Sequence, residues 1–267
     1  MAGSATAERG ARQEESSGPP LVRRLGGLGP RRLRTIIILL LVLILLGAGG
    51  VWALYGSQWL RLERVSVSGT DVLTPREVRD AAALPVGSPL VSVDTDAVEA
   101  RLRAKLRRVD TVDVSRSWPD GIVLKVTERK PVLLIRSGTR YVEVDDGGVR
   151  FATVDKAPAG VPLLRLEATA SRSSAASLRR FGEDRLVREA VRIAGDLPSA
   201  VARDARVVKV RSYDDISLTL SRGRSIAWGS ADDGRAKGRT ILALMKAAPD
   251  ARHFDVSVPT APASSGS

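Results

Sequence analysis

The chain has 267 residues, of which 43% are apolar and 27% charged, and its formal net charge is +12. This length and composition are typical of one or two globular domains. The sequence holds no cysteine and one histidine, His253, which excludes disulfide frameworks, thiolate metal sites, a cysteine nucleophile and multi-histidine metal sites. The basic residues are mostly arginine, a bias typical of GC-rich genomes.

The N-terminal segment, residues 1–34, is rich in Gly, Ser, Pro, Ala and Arg and lacks an apolar pattern. We predict a disordered basic tail, because such a segment buries too little surface to offset its ordering entropy. The tail has no aromatic residue on which a base could stack, which disfavours nucleic-acid binding.

Residues 35–56 follow as one apolar segment, in which Ile36–Gly56 carries no charge. A helix of this length matches the hydrocarbon thickness of a bilayer, about 30 Å, so we predict a single transmembrane helix. Arginines cluster on its N-terminal side, and the positive-inside rule then places the N-terminus in the cytoplasm and everything after residue 57 outside. Trp52, Tyr55 and Trp59 lie where the outer aromatic belt is expected.

The segment after the helix predicts a strand, two helices and a hairpin. Thr74-Pro75-Arg76-Glu77 is a capping box with proline at the first helical position. Trp118-Pro119-Asp120-Gly121 predicts the hairpin turn, and we expect Trp118 to pack on the core. The predicted elements are a strand at 62–68, a helix that begins at Pro75 and is stopped by Leu84-Pro85-Val86-Gly87, a helix that begins at Asp94 or Asp96 and carries an apolar stripe up to Val109, and strands at 111–117 and 121–127.

This β-α-α-β-β order resembles a POTRA module, and Val109–Val132 resembles the corresponding stretch of the FtsQ family of bacterial division proteins, called DivIB in some lineages. The matching features are the Ser68-Gly69 strand end, the Trp118-Pro119-Asp120 turn and the Glu128-Arg129-Lys130-Pro131 exit. The succession of tail, single span, POTRA module and second domain also resembles this family. The family's "vD..G..f" pattern is matched by Val144, Asp145, Gly148 and Phe151.

The rest of the chain predicts a second, mixed domain that ends in a strand. We expect strands at 132–135, 141–144, 149–151, 163–166, 205–210, 216–220, 225–228 and 253–258, a loop at 167–177, and helices at 179–197 and from Asp232 or Asp233 onward. The predicted fold class is therefore α+β: a tail (1–34), a transmembrane helix (35–56), a POTRA domain (58–130), an α/β domain with a mainly antiparallel sheet (131–258) and a disordered tail (259–267).

No motif in the sequence points to catalysis, a cofactor or a metal. Residues 229–236 have the outer glycines of a phosphate-binding loop but lack its Lys and Ser/Thr. The Asp pairs at 145–146, 214–215 and 232–233 lie between predicted elements, where aspartate favours turns and caps. His253 lacks the Gly-x-Ser-x-Gly elbow that a serine triad of the α/β-hydrolase type needs, and we predict a chain that is not an enzyme.

The predicted last strand is the main candidate binding feature. A terminal strand is often an edge strand. Such a strand either accepts a strand from a partner or stays unpaired, and Asp255 and Pro259 would disfavour pairing here. The resemblance implies binding there to FtsB-like (DivIC-like) proteins, which come with FtsL-like ones. The sequence departs from the family at Ser257, usually Arg, and at Val258, usually aromatic. The candidate partner-binding residues are Arg211, Tyr213, Phe254, Asp255, Val256, Ser257 and Val258.

The resemblance implies a single-pass membrane scaffold of the division machinery, enriched at the septum, that helps to control septal peptidoglycan synthesis by binding partners. No cofactor, small-molecule substrate or nucleic acid is expected. Two alternatives stay open from the residues alone: a POTRA module that handles exported polypeptides, and a membrane-anchored protein that binds the cell wall through its arginine-rich outer part.

Overall fold

The structure, a computed structural model, describes residues 30–167 and 171–266. Its first element is a long apolar helix, α1 (Pro30–Gly56), which is long and apolar enough to cross a membrane. The predicted span at 35–56 lies within it. Helix α1 begins at Pro30, so the prediction of disorder is wrong for residues 30–34: proline suits the first helical turn, and leucine and arginine are good helix formers. The predicted tail at residues 1–29 lies outside the described residues.

The described residues from Leu54 onward form one compact unit. Its first part is a three-stranded sheet with two helices, in the predicted β-α-α-β-β order. Strand order is β1-β3-β2, with β1 parallel and β2 antiparallel to β3. The elements are β1 (Arg64–Ser68), α2 (Pro75–Ala82), α3 (Thr95–Lys105), β2 (Val109–Ser117) and β3 (Gly121–Glu128), after a short 3₁₀ turn at Gln58–Leu60.

Local sequence signals explain the helix starts of this module. The Thr74 hydroxyl accepts a hydrogen bond from the Glu77 amide at 3.2 Å, and the Glu77 carboxylate accepts one from the Thr74 amide at 2.7 Å. This confirms the predicted capping box. The Thr74 amide and the Thr74 hydroxyl both donate to the Glu77 carboxylate, and these two bonds hold the pKa of Glu77 below its ordinary value. The apolar side chains of the whole module form one buried core, with members such as Leu62, Leu102 and Leu124.

The second part is a nine-stranded mixed sheet in the described residues. Strand order is β12-β11-β10-β9-β8-β7-β4-β5-β6, and most neighbouring pairs are antiparallel. The strands are β4 (Leu133–Ser137), β5 (Arg140–Val144), β6 (Arg150–Val154), β7 (Leu163–Leu166), β8 (Ala205–Val210), β9 (Ile216–Leu220), β10 (Ser225–Gly229), β11 (His253–Asp255) and β12 (Ala263–Ser265).

The helices of this second part differ from the prediction in one region. Residues 172–177 of the expected loop and the expected single helix at 179–197 instead form two helices that meet at Gly182, whose φ of +76° suits glycine. Residues 168–170 of the expected loop lie outside the described residues. The Ser171 side chain starts the first helix by accepting a hydrogen bond from the Ser174 amide, a cap hidden in a polar stretch. The helices are α4 (Arg172–Phe181), α5 (Glu183–Asp196), α6 (Ser199–Asp204) and α7 (Gly234–Ala247).

Helices α5 and α7 cover one face of the sheet. Leu186 and Ile193 of α5 and Ile241 of α7 are fully buried in the same core as Trp228 of β10. The core residues of both parts lie at or after Leu62, so none comes from α1. A fragment beginning at Leu54 therefore keeps both hydrophobic cores.

Buried ion pairs join the two parts. The Arg108 guanidinium, next to β2, donates to the Glu143 carboxylate of β5 at 2.5 Å, and the exposed fractions of these side chains are 13% and 4%. Arg129, just after β3, pairs with Asp145 and also lies 3.2 Å from Asp110. The Asp145 carboxylate closes its own turn as well, by accepting from the amides of Gly147 and Val149. The aspartate at this position is thus structural, as the sequence predicts.

Candidate partner-binding site

The segments that carry the candidate residues meet at one end of the second sheet. Strand β8 ends at Val210 and β9 begins at Ile216, and these two residues are paired across the ladder. The turn between them holds Arg211 and Tyr213, and the Arg211 amide donates to the Asp215 carbonyl at 3.0 Å. Because β10 runs antiparallel to β9 and parallel to β11, both β10 and β11 end on the side of the sheet where this turn lies, measured along the strands.

Gly229, the last residue of β10, lies between the two segments. A Cβ atom at this glycine would lie 3.0 Å from the Ser257 Cβ and 3.7 Å from the Asp214 carbonyl oxygen. The turn and the residues after β11 therefore contact the same glycine from two sides. The structure thus brings the two candidate segments together at one end of the sheet.

Arg211 is engaged within the chain. Its guanidinium lies 3.4 Å from the Glu167 carboxylate and 3.6 Å from that of Asp215, and about half of the side chain remains exposed. Exposed pairs of this kind contribute little to stability, about 0–1 kcal/mol, so Arg211 is able to exchange one of these carboxylates for another.

Tyr213 belongs to an aromatic–arginine cluster. Its ring stacks on Phe181 with 4.7 Å between centroids and an interplanar angle of 25°, and its amide donates to the Ser177 hydroxyl at 3.0 Å. The Arg185 guanidinium lies 5.4 Å from the Phe181 centroid and 5.5 Å from that of Tyr213, while Arg180 covers Phe181 at 5.2 Å. Such contacts are worth about 0.5–1 kcal/mol each at exposed sites.

A cleft of about 370 Å³ opens beside this cluster. We call it the Tyr213 cleft. Sequence reasoning missed its other members, because it predicts residues 173–177 as loop and Phe181 inside one continuous helix at 179–197, whereas Phe181 ends α4 at the bend before α5. The adjacent Arg180-Phe181 pair was the available signal. The cleft is lined by Ser173, Ala176, Ser177, Arg180, Phe181, Ser212, Tyr213 and Asp214.

The residues of the last predicted strand divide between core and surface. Phe254 and Val256 are buried in the hydrophobic core, whereas Val258 is exposed. The Asp255 carboxylate accepts hydrogen bonds from the Ser257 amide at 2.9 Å and from the Ser257 hydroxyl at 2.6 Å. The strand accordingly ends at Asp255 and does not reach Val258. Of these five candidates, the side chains of Asp255, Ser257 and Val258 are accessible to a partner.

The outer edge of β11 is covered by the chain's own C-terminal segment. Ala263–Ser265 forms β12, antiparallel to β11, with His253 opposite Ser265 and Asp255 opposite Ala263. The Arg252 amide donates to the carbonyls of Ser265 and Gly266. The predictions that β11 is the edge strand and that residues 259–266 are disordered are therefore wrong. A turn in which the Ala261 amide bonds the Val258 carbonyl reverses the chain, and pairing requires only backbone groups, which small residues also supply.

The features weighed for catalysis make contacts within the fold. In the described residues, no three His, Asp or Glu side chains gather in a group able to hold a metal ion. His253 and Ser225 are opposite each other on β11 and β10, and the His253 Nδ1 lies 2.8 Å from the Ser225 hydroxyl oxygen. The glycines at 229–236 end β10 and begin α7, and Lys237 is buried with its Nζ donating to the Ser230 carbonyl at 2.9 Å.

Comparison with known proteins agrees with this architecture. Residues 60–129 match the POTRA domain of FtsQ type. The chain is 71% identical to the cell division protein FtsQ of Streptomyces coelicolor and 70% identical to that of Streptomyces collinus, in both cases over the full length of both chains. It is 30% identical to FtsQ of Mycobacteroides abscessus, over 85% of this chain and 68% of that protein. The combined observations show that the chain belongs to the FtsQ (DivIB) family of bacterial cell division proteins.

Proposed function

We propose that this chain is a membrane-anchored division scaffold that binds FtsB/DivIC-like and FtsL-like partners, and so helps to control septal peptidoglycan synthesis by other proteins. The proposal assigns no chemical step to the chain itself. Family membership supports the division role, and the apolar helix α1 supports membrane anchoring. The observation that carries the binding function is the exposed short strand β12, which pairs with β11 on the same sheet whose β8–β9 turn lines the Tyr213 cleft.

Strand β12 is suited to be replaced by a partner. It has three residues, all with exposed side chains, so only backbone hydrogen bonds to β11 hold it in place. An exposed edge strand is a template for another chain, and a longer partner strand with apolar side chains would bury more surface than Ala263, Ser264 and Ser265 do. We therefore infer that a partner strand pairs with β11 in the place of β12.

The Tyr213 cleft supplies the second part of the proposed contact. The β8–β9 turn lies about three strand spacings, or about 14 Å, to the side of a strand paired with β11. A partner segment that leaves this strand and crosses the end of the sheet would reach the turn with about four extended residues. Arg211 and the exposed parts of Arg180 and Arg185 suit carboxylates, and the stacked Phe181 and Tyr213 rings suit an apolar or aromatic side chain.

The test is a titration of fragment 54–267 with the outer segment of the FtsB-like partner. Deleting residues 259–267 is expected to tighten binding, because no self-pairing has to be broken. Tyr213→Ala is expected to weaken it, while Tyr141→Ala, another half-buried tyrosine but on β5 near the opposite edge of the sheet, leaves it unchanged. Weaker binding after the deletion would show that the partner adds to β12 instead. Equal binding by all variants would show that the partner does not contact this sheet.

The membrane topology is part of the proposal. We propose that α1 spans the cell membrane once, with residues 1–29 in the cytoplasm and residues 57–267 outside, and that the chain is enriched at the septum. Arg31, Arg32 and Arg34 at the start of α1, against Arg61 and Arg64 next to Glu63 beyond its end, support this orientation. Reporter fusions to both termini test it: only the C-terminal fusion should be accessible to an external protease.

A further inference from the structure

Two tryptophans of the POTRA module have exposed rings. The exposed fraction is 85% for Trp59 and 53% for Trp118, so the prediction that Trp118 packs on the core is wrong. The physical reason is that the turn residues 118–120 project beyond the ends of β2 and β3, while the core is already filled by residues such as Ile122 and Leu124. Tryptophan normally buries most of its large apolar surface, so two exposed rings on one module require a cause.

The turn that carries Trp118 is fastened to the start of β1. The amides of Glu63 and Arg64 both donate to the Asp120 carbonyl, at 2.9 and 3.1 Å. The Arg64 guanidinium also pairs with the Asp120 carboxylate. These contacts fix the turn beside the segment by which the chain enters the module.

The same turn lies beside the segment that carries Trp59. Pro119 and Asp120 share a cleft of about 490 Å³ with Glu63 and with each residue from Ser57 to Leu60. Ser57 is the residue directly after α1, and its hydroxyl accepts a hydrogen bond from the Trp59 amide at 3.2 Å. The hairpin turn and the residues leaving the proposed membrane span are therefore neighbours.

This position places both rings near the lipid headgroups. A bilayer has a hydrocarbon core about 30 Å thick and a total thickness of about 40–45 Å, which leaves an interfacial layer of about 5–8 Å on each side. Residues that directly follow a spanning helix lie in that layer, and we expect the same of a turn that lines a cleft with them. Tryptophan is enriched there, because its ring prefers an apolar environment while its N–H needs a polar partner.

The charges around the turn nearly cancel. Arg61, Arg64 and Arg116 are accompanied by Glu63 and Asp120, and Arg64 is paired with Asp120. The excess of one basic residue gives at most about 1 kcal/mol of attraction to anionic lipid, and the tryptophan rings are left as the main source of membrane affinity at this end of the module.

We propose that Trp59 and Trp118 form an interfacial anchor that holds the hairpin end of the POTRA module in the outer headgroup layer of the phospholipid bilayer. This inference rests on the proposed single-span topology. The exposed rings then contact the lipid headgroups, and these two side chains set the distance between the module and the membrane.

The absence of cysteine from the chain allows a direct test in the full chain, reconstituted in phosphatidylcholine vesicles. A spin label is placed at Ser117→Cys, beside the turn, or at Val72→Cys, an exposed control position. Val72 lies beyond the other end of β3, where its amide donates to the Glu128 carboxylate, about 23 Å from the turn. Collisions of each label with oxygen, which concentrates in lipid, and with a water-soluble nickel complex report its environment.

The proposal predicts more oxygen and less nickel contact at residue 117 than at residue 72. Adding Trp59→Ser and Trp118→Ser together should make the label at 117 as accessible to nickel as that at 72, while the spectrum of the Val72 label, which reports folding, stays the same. Replacing a third of the lipid with phosphatidylglycerol should leave the wild-type difference unchanged.

Two results would overturn the proposal. Equal nickel access at 117 and 72 in the chain with both tryptophans would place the turn in water. Lipid contact at 117 that survives removal of both rings would show that chain connectivity alone holds the turn there. Extraction at alkaline pH separates either result from failure of the single-span topology, since α1 keeps every variant in the vesicles if that topology holds.

Discussion

The Arg108–Glu143 pair offers a quantitative test of how the POTRA module is joined to the second domain. Both side chains are largely buried, and the Arg108 guanidinium also covers the Phe151 ring at 5.2 Å. Removing one partner of a buried ion pair leaves an uncompensated charge and typically costs about 3–5 kcal/mol. We expect Arg108→Ala to lower the free energy of unfolding of fragment 54–267 by this amount.

A double variant separates the charge from the packing. Replacing both partners by apolar residues of similar size is often close to neutral, because no buried charge is left alone. The variant Arg108→Met with Glu143→Leu should therefore recover most of the stability that Arg108→Ala loses. Arg103→Ala, which removes a guanidinium from an exposed i,i+4 pair with Glu99, serves as the control and should cost less than about 1 kcal/mol.

The assay is urea unfolding followed by far-ultraviolet circular dichroism and by tryptophan fluorescence. Trp228 is fully buried and should give most of the fluorescence change, because Trp59 and Trp118 are already exposed in the folded fragment. A loss below about 1 kcal/mol in Arg108→Ala would show that the pair behaves like an exposed one. A double variant no more stable than the single one would show that packing, and not an unpaired charge, causes the loss. Either result would refute the reasoning.

Two further predictions concern local structure. Gly69→Ala should lower the free energy of unfolding of the fragment by at least about 2 kcal/mol in urea, because a Cβ atom at this φ of +79° would lie 2.1 Å from the Val126 carbonyl oxygen. Gly87→Ala is the control: its φ is +88° but the space around it is open, so it should cost only about 1 kcal/mol. Equal losses in the two variants would contradict the steric explanation. Burial lowers the pKa of Lys237 from its ordinary value, so at pH values just below the ordinary lysine pKa of about 10.4 the unfolded chain binds more protons than the folded one. The free energy of unfolding should therefore rise with pH in this range, relative to that of Lys237→Met. Parallel pH profiles of the two proteins would contradict this prediction.

Much of the POTRA module was predictable because its signals are local. The capping box at Thr74 and Glu77 and the turn at Pro119 and Asp120 specify helix and hairpin positions without knowledge of the rest of the fold. Strand positions followed from alternation, since one face of each strand is buried. The same reasoning placed most strands of the second domain within a few residues of those observed.

Features that depend on the assembled fold were not predictable. Nothing in Ala263-Ser264-Ser265 marks a strand, because its pairing uses backbone groups and the partner edge that β11 provides. The exposure of Trp118 follows from the length of the hairpin relative to the core, which the sequence of the turn does not encode. The Tyr213 cleft arises from a contact between α4 and a turn more than thirty residues later.

The central claim is that a partner strand takes the place of β12 beside β11. Hydrogen exchange of fragment 54–267, with and without the outer segment of the FtsB-like partner, tests it directly. If a partner strand replaces β12, amides of residues 261–266 should exchange faster in the complex than in the free fragment, while those of residues 253–256 and of the β8–β9 turn should exchange more slowly. Unchanged exchange throughout this end of the sheet, with new protection confined to residues 58–130, would contradict the claim and move the contact to the POTRA module.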